Sequence, residues 1–155
     1  MNLVRATAQR LEFHLASQEK QLLLRLLELY PCLPPAHQQL CRAGGVPDQD
    51  AAQRLLDEAL AEQRQENKSQ LQALLADRLR FQEIPTGWRL RLSPAELEGL
   101  FQVLNDIRIG SWVRLGSPEG PVRKVDERNV QHVAAMELSG RFQMELLEAL
   151  EGPSS

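Results

Sequence analysis

The chain has 155 residues, is 43% apolar and 25% charged, and carries a formal charge of −3 at pH 7, the profile of one ordinary globular domain. A chain of this length buries roughly two-thirds of the surface its unfolded form exposes, so it holds a core without a disulfide framework or a structural metal. Mild acidity, with a pI near 5.7, removes the basic field that makes nucleic acid a default partner, and no apolar run reaches the roughly 18–20 residues of a membrane span. The opening MNLVRATAQR lacks the apolar centre and small-residue cleavage site of a secretory signal, so a reducing cytoplasm is the expected compartment.

In chain order, Leu11-Glu12-Phe13-His14-Leu15 alternates strictly, the period of a half-buried strand. A helix is predicted from Gln18 to Tyr30, where Leu22, Leu23, Leu26, Leu27 and Leu29 make a wide apolar stripe stopped at Pro31. Pro35 suits a first helical position, so a short helix is predicted to about Arg42. The cluster Ala43-Gly44-Gly45-Val46-Pro47 marks a loop near 43–49. From Asp50, which with Gln53 resembles an aspartate version of the capping box, no proline or glycine intervenes until Pro85, and one long helix is expected. Leu55, Leu56, Ala59 and Leu60 serve its first half, and Leu71, Leu74, Leu75, Leu79 and Phe81 its second. The run from Glu62 to Lys68 has no apolar residue, so the helix is expected to bend there or to project into solvent.

Trp88-Arg89-Leu90-Arg91-Leu92 alternates as the first strand does. Each of the two strands is followed by a serine, Ser17 or Ser93, and then a helix, an internal strand-cap-helix repeat spaced by about 76 residues. Lone strands leave backbone donors unpaired, so the two are expected to pair, setting Glu12 and His14 against Arg89 and Arg91. Ser93-Pro94-Ala95-Glu96 is the clearest helix start, with a serine cap, proline at the first position and glutamate closing the capping box. That helix should run to about Leu115, before a loop near 116–123. A last helix is expected from Asp126 to Leu150, with Gly140 weakening it or admitting a close neighbour. The tail 152–155 is expected to be disordered.

On a helical wheel, Leu97, Leu100, Phe101, Leu104, Ile107, Trp112 and Leu115 share one apolar face of the Ser93 helix, and Arg108 falls among them. A buried arginine needs a carboxylate or several carbonyl oxygens, and Trp112 one turn on offers a ring to stack against. The opposite stripe, Gly99, Val103, Asp106 and Gly110, is mostly small and lets another backbone come close, with Asp106 able to hydrogen-bond it. The helix is therefore expected to have partners on both sides, one of them a candidate second subunit. Asn105, Asp106, Arg108 and Trp112 form the candidate binding site; the competing explanation is an arginine network that fixes helix packing.

Leu104-Asn105-Asp106-Ile107-Arg108-Ile109, followed by Arg114-Leu115-Gly116, resembles the LNDLRL…RLG signature of a bacterial family of unknown function. The closing helix, with Leu138 and Gln143-Met144-Glu145-Leu146-Leu147-Glu148-Ala149-Leu150, is similar to that family's ending, although Gly110-Ser111-Trp112-Val113 departs from its usual pattern. The resemblance implies a bacterial cytoplasmic protein with no established activity, frequently encoded near the ClpS protease adaptor, so the Clp adaptor system is a candidate partner.

No catalytic or nucleotide-binding motif stands out: GxGxxG, GxxxxGK[ST] and GxSxG are all missing. Cys32, His37 and Cys41 are the nearest approach to a metal set, but their spacing is not that of a zinc site, and no metal or cofactor is expected. Glu58, Glu62 and Glu66 stack at four-residue spacing and read as a solvated face. Arg78, Arg80, Arg89, Arg91, Arg123, Lys124 and Arg128 gather in the second half, yet acids interleave and one tyrosine offers little base stacking, which disfavours nucleic acid. The resulting expectation is a mainly α single domain over 1–155, with four main helices, a short one and a small two-stranded β element. Its expected role is that of a non-enzymatic, homodimeric interaction or regulatory protein. A nucleic-acid regulator and a small anionic-ligand binder using Arg108 are the alternatives.

Overall fold

Two β-hairpins, each leading into helices, build the sheet of this computed structural model, which describes residues 1–33, 49–122 and 124–151. Strand β1 (Asn2–Ala6) turns through Thr7–Arg10 into β2 (Leu11–Leu15). The Thr7 hydroxyl accepts from the N–H groups of Gln9 and Arg10 at 3.4 and 3.1 Å, closing that turn without glycine. Helices α1 (Ser17–Leu27) and α2 (Gln49–Ala76) follow, then β3 (Phe81–Ile84), β4 (Gly87–Leu92), α3 (Pro94–Arg114) and α4 (Val130–Glu151). The order across the sheet is β1-β2-β4-β3, antiparallel throughout.

The two expected strands pair as anticipated, Glu12 opposite Arg91 and His14 opposite Arg89. They are, however, the inner pair of four, so the mainly α reading with a two-stranded element is corrected to a mixed α+β fold with a substantial sheet. The outer strands are quiet in sequence for physical reasons. β1 is an edge strand, four of its five residues exposed and its register broken between Leu3 and Arg5, so no apolar alternation marks it. β3 is masked by the way α2 ends. Asp77 takes the place of glycine or proline: its carboxylate accepts from Leu79 N–H at 2.9 Å and its carbonyl from Phe81 N–H, also at 2.9 Å. Phe81 accordingly sits in the sheet rather than on the long helix. Just after the two-residue turn Pro85-Thr86, Gly87 opens β4 with φ 142°, and a Cβ there would lie 2.4 Å from the Leu15 carbonyl oxygen, so only glycine fits.

One face of the sheet carries Leu11, Phe13, Leu15, Leu90 and Leu92, which join Leu23, Leu97, Leu104, Ile107 and Leu146 in a single core. Full burial of such side chains contributes about 1.5–3 kcal/mol each. The internal repeat is thus larger than strand, cap and helix: each half is a hairpin followed by two helices. Its caps also differ. Ser93 makes the full box, accepting from Glu96 N–H at 3.1 Å while Glu96 accepts from Ser93 N–H at 3.0 Å. In the first half the cap is Ala16, not Ser17, and only Glu19 reaching back to Ala16 N–H remains of the motif.

Helix α2 is continuous through its polar middle, which docks by polar groups. Arg64 Nε lies 3.7 Å from Asp106 Oδ2, and Asn67 hydrogen-bonds the Tyr30 hydroxyl. Glu58, Glu62 and Glu66 are exposed, consistent with a solvated face. The loop after α3 is set by Gly116 with φ 87°. Ser117 N–H donates to Trp112 O and Gly116 N–H to Val113 O, each at 3.0 Å, the pairing of a Schellman C-cap. The predicted Pro35–Arg42 helix, positions 43–48 of the first loop, His37 and Cys41, Arg123 and the tail 152–155 lie outside the described residues.

Candidate functional site on the central helix

The four candidate residues of α3 diverge around the helix and meet three different neighbours. Asp106 faces the segment after α1. The N–H groups of Cys32 and Leu33 donate to its Oδ1 at 2.7 and 3.0 Å. One turn on, Gly110 lies under the same segment, where a Cβ would stand 2.5 Å from Cys32 C and Leu33 N. The small-residue stripe therefore does admit a backbone, and that backbone belongs to this chain. Buried Cys32 completes the crossing, its thiol 3.8 Å from the Ser111 hydroxyl. Beside it, burial raises the Tyr30 hydroxyl above its ordinary pKa; the hydrogen bond with Asn67 and the Arg64 charge oppose that rise, and the Asp106 charge adds to it.

Arg108 points to the other side, toward α4. Its Nε donates to Gln143 Oε1 at 2.8 Å and one terminal nitrogen to Asn105 Oδ1 at 3.0 Å, while Gln143 Nε2 donates to the same Asn105 oxygen at 3.3 Å. Its stem lies over Gly140, with Cδ 3.7 Å from where a Cβ would stand, an ordinary contact distance, so this approach does not require glycine. Arg108 is half-buried, and among the described residues no carboxylate pairs with it. The wheel placed it in mid-face; the buried residues Val103, Leu104, Ile107, Gly110 and Ser111 show that the true core direction is rotated, leaving Arg108 at its margin. Trp112 does not stack on the guanidinium. Its Nε1–H donates to Pro118 O at 3.0 Å and fastens the loop after α3.

Asn105 and Arg108 thus form one cluster with Gln143, whereas Asp106 and Trp112 belong to separate contacts. Sequence reasoning missed Gln143, Arg64 and the two backbone donors at 32 and 33. Gln143 left a signal, a polar residue on the apolar side of the last helix. The cluster offers a cation held by neutral amides, suited to binding an anion and lacking a paired nucleophile and base.

Near the start of α3 a cavity of about 440 Å³ opens beside α2, floored by Leu71, Leu74, Leu100 and Val103, with Gly99 facing open space. At its mouth Arg80 pairs with Glu96. Burial alone would raise the Glu96 carboxyl, but hydrogen bonds from Ser93 and the Arg80 guanidinium outweigh it and hold the group below the ordinary value. Among the described residues, no three His, Cys, Asp or Glu side chains are grouped to hold a metal ion. No helix there is long and apolar enough to cross a membrane. Compared with known proteins, the chain matches no family model, no curated protein and no solved structure.

Proposed function

We propose that this is a non-enzymatic, cytoplasmic interaction protein that acts as a homodimer through α4. The observation that carries this reading is a broad uncovered apolar face on that helix: Met144, Leu147 and Leu150 are 62%, 42% and 53% exposed. Such a face, rimmed by charge, is the anatomy of a recognition patch. A second copy suits it because the rim is self-complementary. In an antiparallel pair of α4 helices related by a two-fold axis near Met144, Arg141 of one copy faces Glu148 of the partner subunit.

Sedimentation velocity at micromolar concentrations tests the reading: a dimer is expected, and Met144→Lys with Leu147→Lys should give a folded monomer. A wild-type monomer at about 100 µM, near the weak limit of useful association, overturns it. The family resemblance of the Leu104–Ile109 segment makes the Clp adaptor system the first partner to assay with the dimer. A second reading, a small anionic ligand at Arg108, is favoured by that residue's lack of a carboxylate. It predicts binding of inorganic phosphate that Arg108→Met abolishes while the fold survives.

A further inference from the structure

The face of the sheet turned away from the core is cationic on an acidic chain. Glu12 and His14 of β2 alternate with the core residues Leu11, Phe13 and Leu15, and Arg89 and Arg91 of β4 pair with them. Arg5 of β1 stands opposite Glu12 in the register. At the hairpin end Arg5 and Arg10, with Thr7, Gln9 and Glu12, line a polar cavity of about 510 Å³. This surface therefore sets four arginines against one glutamate, while the whole chain carries −3. The single acid is already engaged, Glu12 Oε1 lying 3.0 Å from Arg91 Nε. Among the described residues Arg89 bonds one neutral amide, Gln82 Oε1 at 2.8 Å, and its Nε is buried with no hydrogen-bond partner. A buried donor left unpaired on a charged group is costly, and an anionic acceptor drawn to Arg89 would relieve it.

We propose that this sheet face binds an extended acidic peptide segment of a partner protein. The spacing favours it: Arg89 and Arg91 alternate along a strand, about 6.6 Å apart at the usual rise, and carboxylates at alternate positions of an extended peptide repeat at the same distance. Guanidinium groups match carboxylates in two-point contact. Single-stranded nucleic acid needs rings to stack on, and the sheet's aromatics turn to the other face: Phe13 and Phe81 are buried, and Trp88 packs on Phe81 under the Lys20 ammonium. From Arg10 to His14 the patch runs roughly 13 Å along β2, short for the row of phosphates a duplex presents. The site is independent of the α4 dimer, since the helices occupy the opposite side of the sheet.

Fluorescence anisotropy of the full chain at low salt tests this with a labelled nonapeptide of alternating Glu and Ser, the same peptide with Gln for Glu, and a short single-stranded DNA. Saturable binding of the Glu peptide, with the Gln peptide about tenfold weaker, supports the proposal. Arg5→Gln with Arg10→Gln, at exposed positions that leave the circular dichroism unchanged, should weaken it several-fold. Arg89→Gln should do the same, and Glu12→Gln should tighten it by removing the one repelling charge. Equal affinity for the two peptides, or indifference to all the arginine changes, overturns the proposal. Tighter binding of the DNA than of the Glu peptide also overturns it and gives the face to nucleic acid.

Discussion

The two sides of α3 use charge in opposite ways. On the side of Gly99, Val103, Asp106 and Gly110, a largely buried carboxylate collects two backbone N–H groups and an arginine, and a glycine lets a main chain lie directly on the helix. On the side of Asn105 and Arg108, a half-exposed guanidinium meets, among the described residues, side-chain amides alone. Arg108 is conspicuous in the sequence because an arginine among leucines looks costly; in the structure the cost is avoided by rotation to the margin and by snorkelling over Gly140. Asp106 draws less notice in sequence, yet it satisfies donors that have nowhere else to go. The stability of the crossing therefore rests on the small-residue side, and the chemistry open to solvent lies on the other.

The sharpest way to break this contrast is at the glycines. Gly110→Ala drives a Cβ into the backbone of Cys32 and Leu33 and should cost about 3 kcal/mol in urea unfolding, the upper range for overpacking. Gly99→Ala on the same stripe meets nothing within 4 Å and should raise stability by up to about 1 kcal/mol through helix propensity. Equal losses at the two positions would refute a crossing localised at Gly110. Trp112→Phe removes the donor to Pro118 O and should cost about 1 kcal/mol, with faster amide exchange confined to residues 116–120; unchanged exchange there would detach the loop from the tryptophan.

The smallest effect concerns pH and lies apart from both sides of the crossing. The folded-state pKa of Glu96 is depressed, so its contribution is complete above the unfolded glutamate value of about 4.3. It is lost as pH falls through the lower folded value. Stability measured from pH 5 down to pH 3 should decline, and less steeply in Glu96→Gln; identical slopes would mean that the Arg80 and Ser93 contacts do not hold the charge.

Legibility in the sequence followed burial. β2 and β4 are covered on one face only, so they alternate and announce both themselves and their pairing; the solvent-washed edge β1 has nothing to alternate. The end of α2 was hidden because Asp77 forms the turn with its own side chain and carbonyl, where glycine or proline would have been visible. The polar stretch from Glu62 to Lys68 predicts a bend or a projection into solvent because it offers a core nothing apolar, whereas Arg64 and Asn67 dock by hydrogen bonds and charge. For the site, helical periodicity identified the close approach at Gly110 but set the apolar face of α3 too far toward Arg108. It could not supply Gln143 or the amides at 32 and 33, because those partners arrive from distant parts of the chain and a wheel carries no tertiary information.

Paired urea denaturation of Asp106→Ala and Arg108→Met shows whether α3 is anchored through Asp106 rather than through Arg108. Losing Asp106 leaves two backbone donors without their acceptor, and the expected cost is about 2–3 kcal/mol; losing Arg108 leaves neutral amides near solvent and should cost about 1 kcal/mol or less. A lower midpoint for Arg108→Met than for Asp106→Ala, at equal slopes, would contradict the account.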